Sequence, residues 1–204
     1  MAKGANEKIA VIGLGYVGLP LALALARSYP VTGFDVSKSR IAELQRAVDR
    51  SGEVDTAMLR ASTMTFTDTA ADIRDASVYI VTVPTPVDEE NKPDLGALTA
   101  ACATLGGVLK KGDVVVFEST VYPGITEDFC GPAMEAASNL ICGEDFFLGY
   151  SPERINPGDR EYTVERITKV VSGQTPDVAE RLAAIYGHVT NGNIFVAKDI
   201  KTAE

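Results

Sequence analysis

The chain has 204 residues, of which 46% are apolar and 23% charged, a balance that suits one globular domain with a full-sized core. Its net charge of −9 offers no Lys/Arg stripe to neutralise a run of phosphates, so a nucleic-acid partner is excluded from the expectation. The longest apolar run, "LPLALALA", is too short to span a bilayer, and "MAKGANEK" is not flanked like a secretion signal, so no membrane partner and a cytoplasmic location are expected.

Strand-like and helix-like segments alternate along the chain. "KIAVIGLG" is a continuous β-branched run, the pattern of a strand buried on both faces. "YVGLPLALALARS" predicts an apolar helix with Pro20 in its first turns, where a missing N–H is tolerated. "VTGFDV" is a second strand, and "KSRIAELQRAV" a helix capped by Ser37 with Ile41, Leu44 and Val48 on its inner face. A short helix and loop fill residues 49–62, followed by strands "MTFT" and "VYIVTVP", the latter ended by Pro84. "DLGALTAACATLGGVL" predicts a helix with Asp94 near its start, "DVVVFEST" a fifth strand, and "GITEDFCGPAMEAA" a helix broken near Pro132. "FFLGYS" and "ITKVVSG" are the sixth and seventh strands. "TPDVAERLAAIYG" is a helix with Thr175 as N-cap and Pro176 at its first position, and "NIFVAK" is the last strand.

Strands separated by helices imply parallel pairing through right-handed crossovers. The expected fold is therefore α/β: a Rossmann-type, doubly wound, mainly parallel sheet with helices on both faces, one domain over residues 1–204 with a flexible segment at 1–8. Ligands of such sheets bind beyond the carboxyl ends of the strands, which nominates the loops at residues 13–18, 35–40, 84–86, 119–124 and 151–158.

Gly13, Gly15 and Gly18 have G-x-G-x-x-G spacing between a strand and a helix. The first glycine permits the tight turn, the second lets backbone approach a pyrophosphate, and the third allows close helix–strand contact. Asp35 ends the second strand 17 residues after Gly18, placed to accept from ribose hydroxyls. A carboxylate there repels a 2′-phosphate, so the expected cofactor is NAD rather than NADP. Arg40 complicates that choice, because a nearby arginine can hold a 2′-phosphate; it can equally stack on adenine or stand solvated. In "VPTP", Thr85 either contacts ribose or pyrophosphate or is a solvated hydroxyl on a proline-fixed turn. In "ESTVYPG", Thr120 is placed to orient water or touch cofactor, while Glu118 reads as a satisfied structural carboxylate. "YSPERINPG" brackets Glu153 and Arg154 between two prolines, more rigidity than a solvated loop needs. Cys102, Cys130 and Cys142 lack CxxC spacing and an activating neighbour, so neither a disulfide framework, a metal site nor a nucleophile is expected among them. His188, near a helix end, reads as a surface or capping residue.

The motifs "GLGYVGLPLA", "FDVSKSRI", "VPTP", "ESTVYPG" and "YSPERINPG", in this order from about Ile9 to the last residue, resemble the UDP-glucose/GDP-mannose dehydrogenase family. "SPERINPG" is similar to the branch acting on UDP-N-acetylated hexosamines. The resemblance implies a four-electron oxidation of a UDP-sugar C6 hydroxymethyl to a carboxylate with two NAD, through a cysteine thioester. It implies cofactor contacts for Tyr16, Val17, Asp35, Arg40, Thr85 and Thr120, with Gly13, Gly15 and Gly18 forming the phosphate loop. It gives Glu153 a role in managing water or protons at the reacting carbon, with Thr120 beside it, and assigns Arg154 and Ile155 to the nucleotide sugar. In the family, a long central helix with a catalytic lysine and a "GFGG"-type cysteine motif come further along. Neither is in this sequence, and Lys198 and Lys201 fall short of that lysine, so residues 198–204 are expected to lead towards that connection. A homo-oligomer is expected of the full-length enzyme. Two readings stay open: a non-catalytic NAD-sensing module, and the Rossmann domain of a 6-phosphogluconate or 3-hydroxyacid type dehydrogenase.

Overall fold

The computed structural model describes residues 7–87, 90, 93–153 and 168–204. Strands β1 (Ile9–Ile12), β2 (Val31–Phe34), β3 (Thr65–Thr67), β4 (Val78–Val81), β5 (Val114–Phe117), β6 (Phe147–Tyr150), β7 (Lys169–Gly173) and β8 (Ile194–Val196) form one sheet in the order β3-β2-β1-β4-β5-β6-β7-β8. The ladders are parallel except β6–β7, which is antiparallel, with Gly149 opposite Gly173 and Tyr150 opposite Ser172. The sheet is thus mainly parallel, as expected, and the antiparallel pair turns the start of β7 towards the edge of the sheet where β1–β6 end.

The expected strands all form, and β1, β4 and β5 are buried on both faces. Side chains of β1 alternate between two cores: Ile9 and Val11 face one, Ala10 and Ile12 the other. The first core is covered by helices α1 (Gly18–Leu25), α2 (Lys38–Gln45) and α3 (Thr56–Ala61), and by α6 (Pro176–Gly187) further along the sheet. The second is covered by α4 (Gly96–Gly106) and α5 (Gly131–Ser138), with Ile200 of the short α7 (Ile200–Ala203). Leu98, Cys102 and Leu105 of α4 are fully buried, which explains why that helix reads as almost wholly apolar.

Helix ends follow the expected chemistry. Ser37 accepts from the Arg40 N–H, Thr175 from the Val178 N–H, and Asp94 from the Gly96 N–H. One expectation fails: α2 stops at Gln45 because Ala47 adopts a left-handed φ of 58°, so Val48 lies past the helix and is half exposed, while Ile41 and Leu44 stay buried. The helix around Pro132 is not interrupted but changes pitch. Residues Ile125–Cys130 form π-helical turns that pass into α5 at Gly131, next to the proline that has no N–H for an α-helical bond. Among the described residues no helix is long and apolar enough to cross a membrane.

Candidate functional site

The strand order reverses between β1 and β4, and the loops that leave β1, β4, β5 and β6 all open at the same sheet edge. They line a cleft of about 450 Å³ together with Asp35 from the end of β2; its lining includes Gly13, Gly15, Tyr16, Val17, Thr82–Pro86, Glu118–Thr120 and Glu153. From β2 to β6 is four interstrand steps, about 19 Å at the usual strand spacing, a span that suits an extended dinucleotide.

The glycine loop fits a bound pyrophosphate. Gly13 sits at φ 92°, a conformation that only glycine adopts freely. A Cβ on Gly18 would overlap the Gly13 carbonyl oxygen and the Thr82 hydroxyl, so the third glycine is needed for the chain's own packing. A Cβ on Gly15 would meet nothing within 4 Å: that position is open space facing the cleft, which leaves backbone accessible to a ligand. Thr82 supports the turn by donating from Oγ1 to the carbonyls of Gly13 (2.7 Å) and Ile12 (3.1 Å). Sequence reasoning missed this threonine because its role depends on the neighbouring strand.

Asp35 is fixed from two sides. Its Oδ2 accepts from the Leu14 N–H (2.9 Å) and its Oδ1 from the Ser37 N–H (2.8 Å), which ties the glycine loop to the start of α2. A carboxylate has about four lone-pair positions, so acceptor capacity remains for ribose hydroxyls. Arg40 lies elsewhere. Its guanidinium is buried, with Nε donating to the Leu14 carbonyl (2.8 Å) and Nη2 2.7 Å from Asp49 Oδ1, and it is not part of the cleft lining. Burial opposes ionisation of Asp49, but hydrogen bonds from Ser51, Arg40 and backbone N–H groups outweigh it and hold that carboxyl below its usual range. Arg40 thus braces the glycine loop from behind.

The middle of the cleft is fastened by hydroxyls. Thr85 Oγ1 donates to the Thr120 carbonyl (2.6 Å), Ser119 Oγ to the Val83 carbonyl (2.6 Å), and Tyr150 Oη to the Ser119 carbonyl (3.0 Å). Thr85 is therefore a clamp between two loops, and Thr120 is left exposed on the cleft wall. Tyr16 is 48% exposed at the loop tip, and Val17 is buried beneath it.

At the far end, Glu153 and Glu118 share a buried cation that the sequence reading did not identify. Lys169 Nζ lies 2.6 Å from Glu118 Oε2 and 3.8 Å from Glu153 Oε2, and the side chains of Lys169 and Glu118 are wholly buried. Tyr186 of α6 donates its phenol to the other Glu118 oxygen. Burial, with the neighbouring Glu153 charge, raises the Glu118 carboxyl against the lowering effect of Lys169. Burial, and then Glu118, push the Tyr186 phenol well above its ordinary range, so it remains a donor. Glu118 is thus satisfied, as its residue type and position imply. The available signal was a lysine inside an otherwise strand-like "TKVVSG", but its partners come from three other elements. Arg154 and Ile155 lie outside the described residues.

The cysteines and the histidine behave as small structural groups. Cys102 and Cys130 are buried in the second core, where the Cys102 thiol and burial push the Cys130 thiol up; burial raises Cys142 as well. His188 caps the end of α6 and meets the Tyr29 ring edge-on at 5.5 Å.

The sequence is 52% identical over 198 residues to the UDP-N-acetyl-D-glucosamine 6-dehydrogenase of Pseudomonas aeruginosa, covering 97% of this chain and 47% of that protein. It is 50% identical over 199 residues to Protein CapL of Staphylococcus aureus, covering 98% and 47%. The solved structure of a UDP-D-ManNAc dehydrogenase from Pyrococcus horikoshii aligns with a TM-score of 0.87 at 32% identity, over 97% of this chain and 48% of that one. The chain spans about half the length of the curated relatives it matches. The sequence model of the UDP-glucose/GDP-mannose dehydrogenase family, NAD binding domain, matches residues 7–190, the same stretch that builds the crevice at the β1/β4 switch point, and the chain belongs to that family.

Proposed function

We propose that this chain supplies the NAD-binding half of a nucleotide-sugar 6-dehydrogenase that oxidises the C6 hydroxymethyl of a UDP-N-acetylhexosamine to the carboxylate. The observation that carries the reading is that one cleft joins the glycine loop and Asp35 at one end to Thr120 and Glu153 at the other. NAD, when bound, supplies the hydride acceptor. The backbone N–H groups of Gly15, Tyr16 and Val17, in the cleft lining, would hold its phosphates, and Asp35, which already accepts from the Leu14 N–H, would accept from its ribose with its remaining lone pairs. Tyr16, Val17, Thr85 and Thr120 border the rest of the cofactor, while Arg40 acts on it through Leu14. The commitment of Arg40 to Asp49 supports NAD over NADP, because that cation is not offered to a 2′-phosphate. Glu153, 10% exposed at the cleft floor, is placed to take a proton from a hydroxyl or from water. Arg154 and Ile155, next in the chain, are assigned to the sugar. The names of the most similar relatives support a UDP-N-acetylated hexosamine as the substrate class.

Titration with NADH and NADPH tests the cofactor assignment. Asp35→Ala should weaken NADH by on the order of 1–3 kcal/mol, and tighter binding of NADPH than NADH by the parent chain would overturn it. Substrate class is tested by following NADH absorbance with UDP-N-acetylglucosamine, UDP-N-acetylmannosamine and UDP-glucose. The 204-residue chain should bind NADH without steady turnover, and joined to the remainder of its relatives' length it should form two NADH per N-acetylated sugar. Preference of the longer protein for UDP-glucose would overturn the substrate class.

A further inference from the structure

The loop that leaves β5, from Ser119 to Gly124, carries Thr120 on the cleft wall and is fastened at both ends. Three hydroxyls hold its start: Ser119 on the Val83 carbonyl, Thr85 on the Thr120 carbonyl and Tyr150 on the Ser119 carbonyl. Its end is held from α7. Glu204 Oε2 accepts from the Gly124 N–H (2.5 Å) and Oε1 from the Thr126 N–H (2.8 Å). These N–H groups open the helix that begins at Ile125, where the first donors have no partner within the helix, and Gly124 at the cap position has no side chain to supply one. Gly124 stands at φ 103°, and a Cβ there would lie 2.7 Å from Asp128 Oδ2, so the turn takes only glycine and the acceptor has to come from another element. Lys201 Nζ adds a second tie, 3.0 Å from the Asp128 carboxylate. Helix α7 is itself anchored: Ile200 is buried in the second core, and Asp199 accepts from the Thr202 N–H (2.7 Å).

We propose that Glu204 is a positioning residue for Thr120: its carboxylate pins the far end of the β5 loop and so sets the angle at which Thr120 meets the cofactor. The proposal rests on the reading of Thr120 as a residue that borders NAD in the cleft. Only Val121, Tyr122 and Pro123 separate Thr120 from Gly124. Pro123 has a fixed φ and Val121 packs against the second core, so the arc has little slack. Thr85 holds the Thr120 carbonyl, but the direction of the Thr120 side chain follows the path of the chain on both sides of it. Downstream, that path is set at Gly124. Of the two ties there, Lys201–Asp128 is solvent-exposed, at 51% and 68% of the side chains, and such pairs contribute little. The two bonds from backbone N–H to the Glu204 carboxylate are charge-assisted and lie at a helix N-terminus that favours an anion, so Glu204 carries the latch.

The test is a double-variant cycle on NADH binding, read by fluorescence, with amide hydrogen exchange measured on the same samples. In Glu204→Ala the Gly124 and Thr126 amides should exchange about tenfold faster or more, since both lose a charged acceptor, and NADH should bind about threefold more weakly or worse. Glu204→Gln keeps one carbonyl oxygen and should fall between the parent and Glu204→Ala on both readouts. Thr175→Ala removes the cap of α6, outside the cleft lining, and should leave NADH binding unchanged, which separates positioning from a general loss of stability. Thr120→Ala should weaken NADH by itself, and adding Glu204→Ala to it should weaken NADH little further, because the residue through which Glu204 acts is gone. Unmoved exchange at Gly124 and Thr126, NADH affinity unchanged in Glu204→Ala or in Thr120→Ala, or losses that add in full in the double variant each overturn the proposal. If Glu204→Ala does not fold, Glu204→Gln takes its place in the cycle with the same outcomes. Absence of NADH binding by the parent chain overturns the dehydrogenase assignment and this proposal together, whereas intact parent binding with an unmoved Glu204 variant overturns the role of Glu204 alone.

Discussion

The end of the cleft over β1 and β2 is made of backbone and one part-buried carboxylate, whereas the end over β5–β7 is made of buried charge. At the first, Gly13, Gly15 and Gly18 act through what they lack, and Asp35 is held by N–H groups of residues near it in the fold. At the second, Glu118, Lys169 and Tyr186 come from three elements and satisfy one another away from water, with Glu153 3.8 Å from the ammonium at the cleft lining. The difference teaches where each end is vulnerable. A backbone site tolerates change wherever its Cβ would meet empty space. A buried ion cluster tolerates no single deletion, because each removal leaves a desolvated charge behind.

The largest effect should therefore come from the charged end. Lys169→Met should cost about 3–5 kcal/mol of stability by urea denaturation, since it strands the Glu118 carboxylate in the interior. Adding Glu118→Gln to that variant should restore most of the loss. A double variant no more stable than Lys169→Met would mean that the cost came from packing rather than from charge.

The backbone end should separate stability from binding. Gly18→Ala should cost about 1–3 kcal/mol, because its Cβ has no room beside the Gly13 carbonyl and Thr82. Gly15→Ala should change stability by less than about 0.5 kcal/mol. It should nevertheless weaken NADH about tenfold, or 1.4 kcal/mol, because its methyl occupies the ligand's side of the loop. Equal stability losses at the two glycines would erase the distinction.

The smallest effect, and the sharpest in sign, is the dependence on pH. The folded Asp49 carboxyl is held below its ordinary 3.8, so the unfolded chain takes up the proton first and the stabilisation is lost as pH falls through the folded value. The folded Glu118 carboxyl is raised above 4.5, so the folded chain keeps its proton longer and stability is lost as pH rises from 4.5 through the folded value. Measured by denaturation, the cost of Asp49→Asn should shrink as pH falls below about 3.8, whereas that of Glu118→Gln should grow as pH falls from about 8 towards 4.5. Slopes of the same sign would show that the two ends do not differ in electrostatic character.

Much of the molecule is legible in the sequence for local reasons. The eight strands and the N-caps at Ser37 and Thr175 follow from periodicity and from side chains that bond within three residues of themselves. The end of α2 escaped, because nothing in "QRAV" announces a left-handed alanine. The role of Arg40 also escaped, because its partner Asp49 belongs to a loop that periodicity does not describe.

By itself the sequence determined the layering of helices on a mainly parallel sheet and the position and chemistry of the phosphate loop, since glycine spacing and hydrophobic runs act over a few residues. Only the tertiary structure decided that β7 runs antiparallel beside β6, that Thr85 clamps Thr120, and that Lys169 stands between Glu118 and Glu153. Those facts depend on pairing register between segments up to 68 residues apart, as in the Tyr186–Glu118 contact. A register is a property of two strands meeting, and neither strand states it alone.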